Sequence, residues 1–371
     1  MIKKVLFLLI AVLAISCGSD DSGSNGNGTD NFDRKVMLEN WADNIIIPSY
    51  EDFQSKMNDL NQKTEAFVAD ATAENLESLR TSWLNAYKIW QHVSMYEIGK
   101  SEELTFRNFM NIYPTSATKI EGFVTSGTYN LQLPSTYDAQ GFPALDYLLY
   151  GISDAAISYE IHFTTGPKAA GYKDYLTAVV SRMKTLTDEV VADWKGTFRN
   201  DFVNNNGGTA SSSVNTMVNK YVFYYEKFLR AGKIGIPVGV FSTTALPEKV
   251  EGYYSAVNSK MLFEEALTAV QNFFNGKHYT SATTGESLKS YLVALNAKKN
   301  GENLDVAINN QWESARTFSQ SVDANFANQI TNDKAKMLGL YDEVQKAVLL
   351  LKVDMMSAMS ISVDYSDADG D

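Results

Sequence analysis

The sequence has few of the residues on which most catalytic and metal sites depend. Its 371 residues include one cysteine, Cys17, and three histidines. His92, His162 and His278 lie far apart, and none has a second ligand three or four positions further on. An HExxH zinc motif, a GxSxG nucleophile turn and a GxGxxG dinucleotide loop are all missing. These absences exclude disulfides within the chain and the common zinc-peptidase and serine-hydrolase sites.

Positive charge is also scarce. Lys and Arg number 32 against 44 Asp and Glu, which gives a formal net charge of -12. A polyanion such as nucleic acid is therefore an unfavourable partner. With 44% hydrophobic and 12% aromatic residues, the chain can form one large core or two cores of ordinary size.

The longest apolar run lies at the N-terminus. Lys3 and Lys4 precede an apolar segment over residues 5–15, which is too short to span a bilayer and has the layout of a cleaved export signal. The last four residues of this region, ending at Cys17, resemble a bacterial lipobox, in which the cysteine is acylated. We predict a lipoprotein signal peptide over 1–16 and lipidation of Cys17; the alternative is an ordinary signal peptide followed by a chance cysteine.

The segment after Cys17 is rich in Gly, Ser, Asn and Asp, so residues 17–31 are predicted to be a disordered tether. Its acidic pair, Asp20 and Asp21, resembles the signal that sends Bacteroidetes lipoproteins to the cell surface. We expect an outer membrane lipoprotein at the cell surface or the periplasmic face. The outer membrane would then be a partner through the lipid.

From Phe32 onward the apolar residues recur at helical spacing, and strand-like alternation is scarce. Helices are predicted near 33–47, 49–69, 168–195, 247–275, 286–298 and 303–330 and along the apolar stripe from Leu76 to Trp90, with breaks that include Pro48 and Pro237. The polar stretch NNNGGTASSS, residues 204–213, is the strongest internal break. The pattern predicts an all-α fold of two helical bundles packed together, over 32–205 and 206–371.

The segment GFPALDYLLY, residues 141–150, contains one acid in an apolar run. In a helix, Phe142, Asp146 and Leu149 share a face, so the carboxylate of Asp146 should be buried and should need a partner. The alternative is a favourable interaction with the helix dipole, because Gly141 and Pro143 suit a helix start.

A second acid follows an aromatic helix. Continuing the spacing of Trp83, Tyr87 and Trp90 reaches Glu97, so its carboxylate is predicted to point toward the buried face. Burial would raise its pKa unless a cation, a metal or hydrogen-bond donors stabilise the charge. The alternative is a helix end at which Glu97 reaches solvent.

Two cations in the second half are also candidates. Arg230 and Lys233 are predicted to lie mostly on an exposed helix face, beside a loop over 232–239. From there either could face a carboxylate across the interface between the bundles.

GFPALDYLLY resembles the signature of the imelysin family of bacterial envelope proteins, which is GxHxxE followed by Tyr and apolar residues. Gly141 and Tyr147 match this pattern, whereas Pro143 replaces the histidine and Asp146 replaces the glutamate. Because proline has no side-chain donor or acceptor, the role of the imidazole is lost.

The resemblance extends over nearly the whole chain after the tether. Trp90 and Glu97 fit the tryptophan and the acidic helix of the family, and residues 231–239, AGKIGIPVG, resemble its second-half loop. The family is named for a proposed peptidase activity, and other members accompany iron uptake. The predicted binding residues are Glu97, Asp146, Trp90, Gly141, Tyr147, Arg230 and Lys233, with Glu97 and Asp146 as ligands of a divalent metal or iron.

Three functions remain open from the sequence. The leading hypothesis is a lipid-anchored protein that binds a metal ion or an iron-linked ligand at a polar site between the bundles, with envelope uptake partners. The second is a metallopeptidase, which the missing histidine disfavours, and no catalytic residue is assigned. The third is a glycan-binding or scaffold module, to which the 20 tyrosines would be suited.

Overall fold

The computed structural model describes residues 31–152 and 158–366. The predicted signal peptide, Cys17 and the predicted tether up to residue 30 lie outside the described residues. Within them the chain is mostly helical, which confirms the all-α prediction. Two short strands, β1 (Lys298–Lys299) and β2 (Glu302–Asn303), pair antiparallel. No helix in the described ranges is both long and apolar enough to cross a membrane.

The first half is built around one long helix. Its α-helices are α1 (Arg34–Asn40), α2 (Ile47–Ala69), α3 (Ala73–Val93), α4 (Lys100–Glu103), α5 (Phe106–Met110), α6 (Ala117–Ser126), α7 (Gly141–Asp146), α8 (Ile161–Thr164), α9 (Ala169–Lys195) and α10 (Phe198–Asn204). The helix α2 packs on both α3 and α9. Tyr50, Phe53, Met57 and Leu60 recur at helical spacing along α2 and are all buried. Each such side chain contributes about 1.5–3 kcal/mol on burial.

The second half packs three long helical segments together. Its α-helices are α11 (Ser213–Phe223), α12 (Ile236–Val238), α13 (Ser259–Phe274), α14 (Leu288–Ala294), α15 (Leu304–Ser319), α16 (Phe326–Asn332), α17 (Lys334–Val348) and α18 (Met356–Ala358). Four π-helical segments, Trp41–Ile46, Tyr147–Gly151, Tyr224–Gly235 and Leu349–Met355, and two 3₁₀ segments, Pro134–Ala139 and Pro247–Lys249, complete the helices of the described residues. The helix α17 packs on α15 and on the π-helical segment Tyr224–Gly235.

The two halves meet along a seam between α3 and α13. The polar break of the sequence is present, because α10 ends at Asn204 and α11 begins at Ser213. However, the buried apolar side chains of both halves form one continuous cluster. The ring of Trp41, beside α1, lies 4.9 Å from that of Phe273 in α13. The division into two separate bundles therefore stays a prediction, although the polar break itself is where the sequence places it.

Pro48 does not break the helix, contrary to the prediction. The backbone stays helical from α1 through the π-helical segment Trp41–Ile46 into α2. Pro48 has no N–H, which removes the usual helical donor to the carbonyl of Asn44, four residues earlier. The backbone N–H of Tyr279, in the second half, donates to that carbonyl at 2.8 Å. The proline is accommodated because a distant segment supplies the missing hydrogen bond.

The predicted loop over 232–239 is also helical, so that prediction was wrong. The π-helical segment Tyr224–Gly235 runs directly into α12, and the helix ends only at Gly239. Pro237 is the second residue of α12, where a proline is tolerated. At Gly235 the missing side chain leaves room for the rings of Phe241 and Tyr341, which would lie 2.7 and 2.9 Å from an added Cβ. Glycine and proline here serve close packing within a helix.

Two helix boundaries differ from the prediction in ways that affect the seam. The helix α3 ends at Val93, so Glu97 follows it in a non-helical segment. The helix predicted over 247–275 begins only at Ser259. The residues before it form a turn over 251–255, in which Gly252 has φ +69°. This turn crosses the seam and forms part of the candidate site.

Candidate functional site

Asp146 is buried, as its helical spacing predicts. It is 2% exposed and is the last residue of α7, so the dipole at the N-terminus of that helix does not explain it. Its Oδ1 accepts a hydrogen bond from the N–H of Ser255 at 2.9 Å, and its Oδ2 accepts one from the N–H of Tyr254 at 2.9 Å. Burial raises the pKa of Asp146 to about 6, although these two donors favour the charged form. The carboxylate of the first half thus holds the turn of the second half in place.

The shape of the turn depends on Gly252. Its φ of +69° is in the left-handed region, which favours glycine. This reversal lets Glu251 point into the interior, where it is 2% exposed, while Tyr253 remains 41% exposed. One glycine therefore separates a buried charged group from a surface aromatic group.

A buried ion pair lies beside this turn. Lys233 and Glu251 are 3% and 2% exposed, and the ammonium of Lys233 donates to the carboxylate of Glu251. Burial lowers the pKa of Lys233, and the charge of Glu251 opposes that shift. The first half contributes two amides: Gln91 Oε1 accepts from Lys233 at 2.8 Å, and Asn111 Nδ2 donates to Glu251 at 2.7 Å. Lys233 is therefore not on an exposed face, and its carboxylate partner comes from its own half.

Two tyrosines lie beside this polar network. The hydroxyl of Tyr87 donates to Asn111 Oδ1 at 2.7 Å. Burial raises the pKa of Tyr113, and the charge of Glu251 raises it further, so this phenol stays protonated. Gly232, the residue before Lys233, allows the hydroxyl of Tyr113 to lie 3.1 Å from where a Cβ would stand.

A cleft of about 120 Å³ opens at the seam above these groups. The residues that line it are Tyr113, Pro114, Thr115, Pro143, Asp146, Glu248, Val250, Gly252, Tyr253 and Tyr254. We call this space the seam cleft. Pro143, at the histidine position of the family pattern, contributes an apolar wall. The seam cleft thus combines aromatic rings, apolar walls and two acids from both halves of the chain.

Glu97 lies in a different environment. Its Oε2 is 3.1 Å from Arg107 Nη1, and both side chains are largely buried. Burial raises the pKa of Glu97, and Arg107 opposes the shift. Arg107 is itself fixed by two hydrogen bonds to the carbonyl of Ser94, and its guanidinium lies 4.2 Å from the centre of the Phe228 ring. Glu97 and Asp146 share no hydrogen-bond or ion-pair partner among the described contacts, so the structure does not bring them into one site.

Arg230 also lies apart from the seam cleft. Its side chain is fully buried, contrary to the predicted exposed face. Its Nε donates to the carbonyl of Glu226 at 3.2 Å, and its Nη2 lies 3.7 Å from the Glu226 carboxylate, one turn earlier on the same helix. Among the described contacts, its charge is therefore balanced within the second half.

Trp90 and Gly141 support the seam from the interior. The Trp90 ring packs against those of Phe53 and Phe142, at 5.7 and 6.1 Å between centroids. Gly141 has φ +76°, and a Cβ there would lie 2.2 Å from the carbonyl oxygen of Met110. Both residues position α7 and do not line the seam cleft.

Tyr147 connects α7 to the seam cleft from behind. Its hydroxyl donates to Glu121 at 2.8 Å, and its ring lies 5.2 Å from that of Tyr254 at an interplanar angle of 65°. Gly151 allows this packing, because a Cβ there would lie 2.5 Å from the Tyr254 ring. Tyr147 therefore orients a ring that lines the seam cleft.

The described residues do not fit a metal ion held by protein ligands alone. They contain no group of three or more His, Cys, Asp or Glu arranged to hold a metal. The two predicted ligands are also engaged, Asp146 by backbone N–H groups and Glu97 by Arg107. We derive no metal-dependent step from this donor set.

Several residues of the site were not singled out from the sequence. Glu251, Tyr253 and Tyr254 fell inside a predicted helix, although the glycine within EGYYS was a signal for a turn. Gln91 and Asn111 carry no motif, and only the fold brings them to Glu251.

The helical fold, with a GxxxxD segment whose acid holds the opposite half at the seam, defines an imelysin-like protein. The chain belongs to the imelysin family, because the model Peptidase_M75: Imelysin matches residues 46–350. It is similar to the crystal structure of an imelysin-like protein from Psychrobacter arcticum 273-4, with a TM-score of 0.70, 16% identity and coverage of 91% of this chain and 99% of that one.

Two further relatives carry another description. An iron-regulated protein A precursor from Parabacteroides distasonis ATCC 8503 has a crystal structure that matches with a TM-score of 0.71, 15% identity and coverage of 90% of this chain and 97% of that one. Iron-regulated protein A of Synechococcus elongatus is 22% identical over 125 residues, which is 34% of each chain. The chain thus matches about a third of the length of this curated relative.

Proposed function

We propose that this protein is a binding protein whose ligand occupies the seam cleft, and that the ligand is an iron-linked complex with an organic part and not a bare metal ion. One observation carries the proposal: the acids in and near the seam that the structure buries, Asp146 and Glu251, are already engaged by protein donors. What remains at the surface is a set of tyrosine rings and apolar walls, with the exposed acid Glu248 at the rim. Such a surface suits an organic ligand better than a hydrated ion.

The link to iron rests on the relatives. Two of the matched proteins are described as iron-regulated protein A or its precursor. That description concerns those proteins, and for this chain it supports a ligand connected with iron supply. Uptake partners in the envelope would follow from such a role.

A peptidase role has less support. Pro143 lines the seam cleft where the family pattern has a histidine, so an imidazole base is missing there. Asp146 could accept a proton, but both its oxygens already accept backbone N–H groups, so it does not face a substrate freely. A glycan-binding role would use the same tyrosines by stacking and remains the second alternative.

Anchoring is the second part of the proposal. The sequence pattern around Cys17 supports acylation, and with it location at the outer membrane, facing either the surface or the periplasm. Membrane fractionation of the full chain and of Cys17→Ser tests this, with release of the variant from the membrane fraction as the expected result. Equal retention of both would contradict anchoring through Cys17.

Binding is tested with the full chain carrying Cys17→Ser. Equilibrium dialysis would compare ferric ion, ferric citrate and the ferric complex of desferrioxamine B. We expect retention of at least one complex and no stoichiometric retention of the bare ion. Tyr253→Ala should weaken retention by about two- to tenfold, since an aromatic contact contributes about 0.5–1.5 kcal/mol.

The matched control is Phe241→Ala. Phe241 is also a partly exposed ring, at 40% against 41% for Tyr253, but it lies outside the residues that line the seam cleft. It should leave retention unchanged. Stoichiometric binding of bare iron, or equal losses in both variants, would overturn the proposal.

A further inference from the structure

The seam cleft carries charge of only one sign. Of the ten residues that line it, Asp146 and Glu248 are acidic and none is basic. The cation behind it, Lys233, is buried and paired with Glu251. An anionic ligand would therefore meet two negative side chains without a compensating positive one. The net charge of -12 on the whole chain acts in the same direction.

The aromatic rings form a corner. The rings of Tyr253 and Tyr254 are 5.2 Å apart at an interplanar angle of 76°, and Tyr147 holds Tyr254 from behind. Tyr113 lines the seam cleft as well. Ring faces carry a negative quadrupole, so aromatic rings that line one space favour a cation there. Burial and the nearby charge of Asp146 raise the pKa of Tyr254, so its phenol stays protonated.

Asp146 and Glu248 would attract a cation in the seam cleft through their negative field and not as direct ligands. Both oxygens of Asp146 accept backbone N–H groups at 2.9 Å, and Glu248 lies exposed at the rim. A small metal ion needs several oxygen ligands, which this arrangement does not offer. An alkylammonium group needs only ring faces and a negative field.

We propose that the seam cleft selects positively charged ligands and binds an alkyl- or quaternary ammonium group between Tyr113, Tyr253 and Tyr254. This inference rests on the proposed function, because it specifies the ligand group for the same site. The ammonium group would be the part of the ligand that enters the seam cleft.

A pair of probes with the same shape and different charge tests the inference. Choline and 3,3-dimethylbutan-1-ol differ in the atom at the centre of the bulky group, which is a quaternary nitrogen in one and carbon in the other. Titration of the full chain carrying Cys17→Ser, followed by NMR or calorimetry, should show choline binding about five- to tenfold more tightly. Sulfoacetate, an anion, should not bind.

Three variants locate the effect. Tyr253→Leu removes the ring and should weaken choline binding by about fivefold, whereas Tyr253→Phe should weaken it less because the ring face is kept. Glu248→Gln should weaken binding by about twofold and reduce its dependence on salt. Glu65→Gln, an exposed acid on α2, is the control and should change neither.

The outcomes separate this inference from the proposed function. Equal binding of choline and the alcohol, or tighter binding of the anion, would overturn the charge preference and leave the seam cleft as the ligand site. The same holds if neither probe binds while retention of a ferric complex still depends on Tyr253. If retention does not depend on Tyr253 either, both proposals fail.

Discussion

At the scale of single residues, the seam is most tightly constrained at Gly141. Its φ of +76° disfavours any side chain, and an added Cβ would lie 2.2 Å from the carbonyl oxygen of Met110. The glycine of the family pattern thus has a purely steric role. It lets α7 begin in direct contact with the end of α5.

Gly141→Ala should therefore lower the free energy of unfolding by about 3 kcal/mol or more, since it combines backbone strain with a clash against main-chain atoms. Urea unfolding measures this change. Gly122→Ala is the control, because Gly122 lies inside α6 with nothing within 4 Å of an added Cβ. It should raise stability by about 0.5–1 kcal/mol. Similar losses in both variants would contradict the steric explanation.

Asp146 should give the protein a specific pH dependence. Burial raises its pKa from 3.8 to about 6, so the folded state holds the proton more tightly than the unfolded chain. Its contribution to stability is then fully present below about pH 4 and is lost as the pH rises through 6. The stability of the wild type relative to Asp146→Asn should fall by up to about 3 kcal/mol between about pH 4 and pH 7.5.

Glu121 is the control, because its effect on the pH dependence of stability should have the opposite sign. Burial alone would raise its pKa, but hydrogen bonds from Lys168, Tyr172 and Tyr147 together lower it. Wild type relative to Glu121→Gln should therefore lose stability as the pH falls through the lowered pKa. Urea unfolding across the pH range measures both series. Parallel trends in the two series would show that the slope does not come from these groups.

The residue scale also shows what the sequence can and cannot predict. Helical spacing was enough to predict that Asp146 is buried, because periodicity fixes which face a residue occupies. Its partners, the N–H groups of Tyr254 and Ser255, lie 108 and 109 residues away and carry no side-chain signal. The pattern places Glu97 on a helix, but α3 ends earlier, at Val93. Glu97 is buried beside Arg107 instead.

At the scale of elements, the turn over 251–255 connects the buried ion pair to the seam cleft. Gly252→Ala should lower stability by about 1–2 kcal/mol through its positive φ and should weaken ligand retention as the turn shifts. Gly301 also has a positive φ, +89°, but has nothing within 4 Å of an added Cβ. Gly301→Ala should cost similar stability and leave retention unchanged. Unfolding and equilibrium dialysis measure the two effects, and unaltered retention in Gly252→Ala would contradict the role of the turn.

Elements were predicted well where apolar spacing was long and regular, as in α2 and α9. They were misjudged at Pro48 and Pro237, which the local rules treat as breaks. At Pro48 the compensating donor is the backbone of Tyr279, which no local rule includes. The local rules fail at such positions because tertiary contacts replace a lost helical hydrogen bond or fill the space that a missing side chain leaves.

At the scale of the whole molecule, the shared core makes one unfolding transition the expected behaviour. Four of the five tryptophans lie in the first half, and Trp312 alone lies in the second. In the Trp312→Phe variant, tryptophan fluorescence therefore reports on the first half. Far-ultraviolet circular dichroism reports on the entire helical content. The two urea transitions should have the same midpoint. Separate midpoints would show that the bundles over 32–205 and 206–371 unfold independently.

The overall class was predictable from the sequence, because helical periodicity and the scarcity of alternation persist along the chain. The arrangement of the halves was not. The helix α1 was assigned to the first bundle, yet Asn40 donates to the carbonyls of Gly276 and Glu286 in the second half. Buried amides of this kind have no periodicity that a sequence pattern could detect.

The docking of α1 has a kinetic consequence. Asn40 and its acceptor Gly276 are separated by 236 positions, and Arg34 and its partner Tyr291 by 257. Contacts between such distant positions must pay the full entropy of closing a long loop before they contribute any stability. A ribosome that has just made α1 must translate more than half of the message before its acceptors exist. Native docking of α1 is therefore among the last events of biogenesis, although α2, α3 and α9 already have their packing partners once residue 195 has been made.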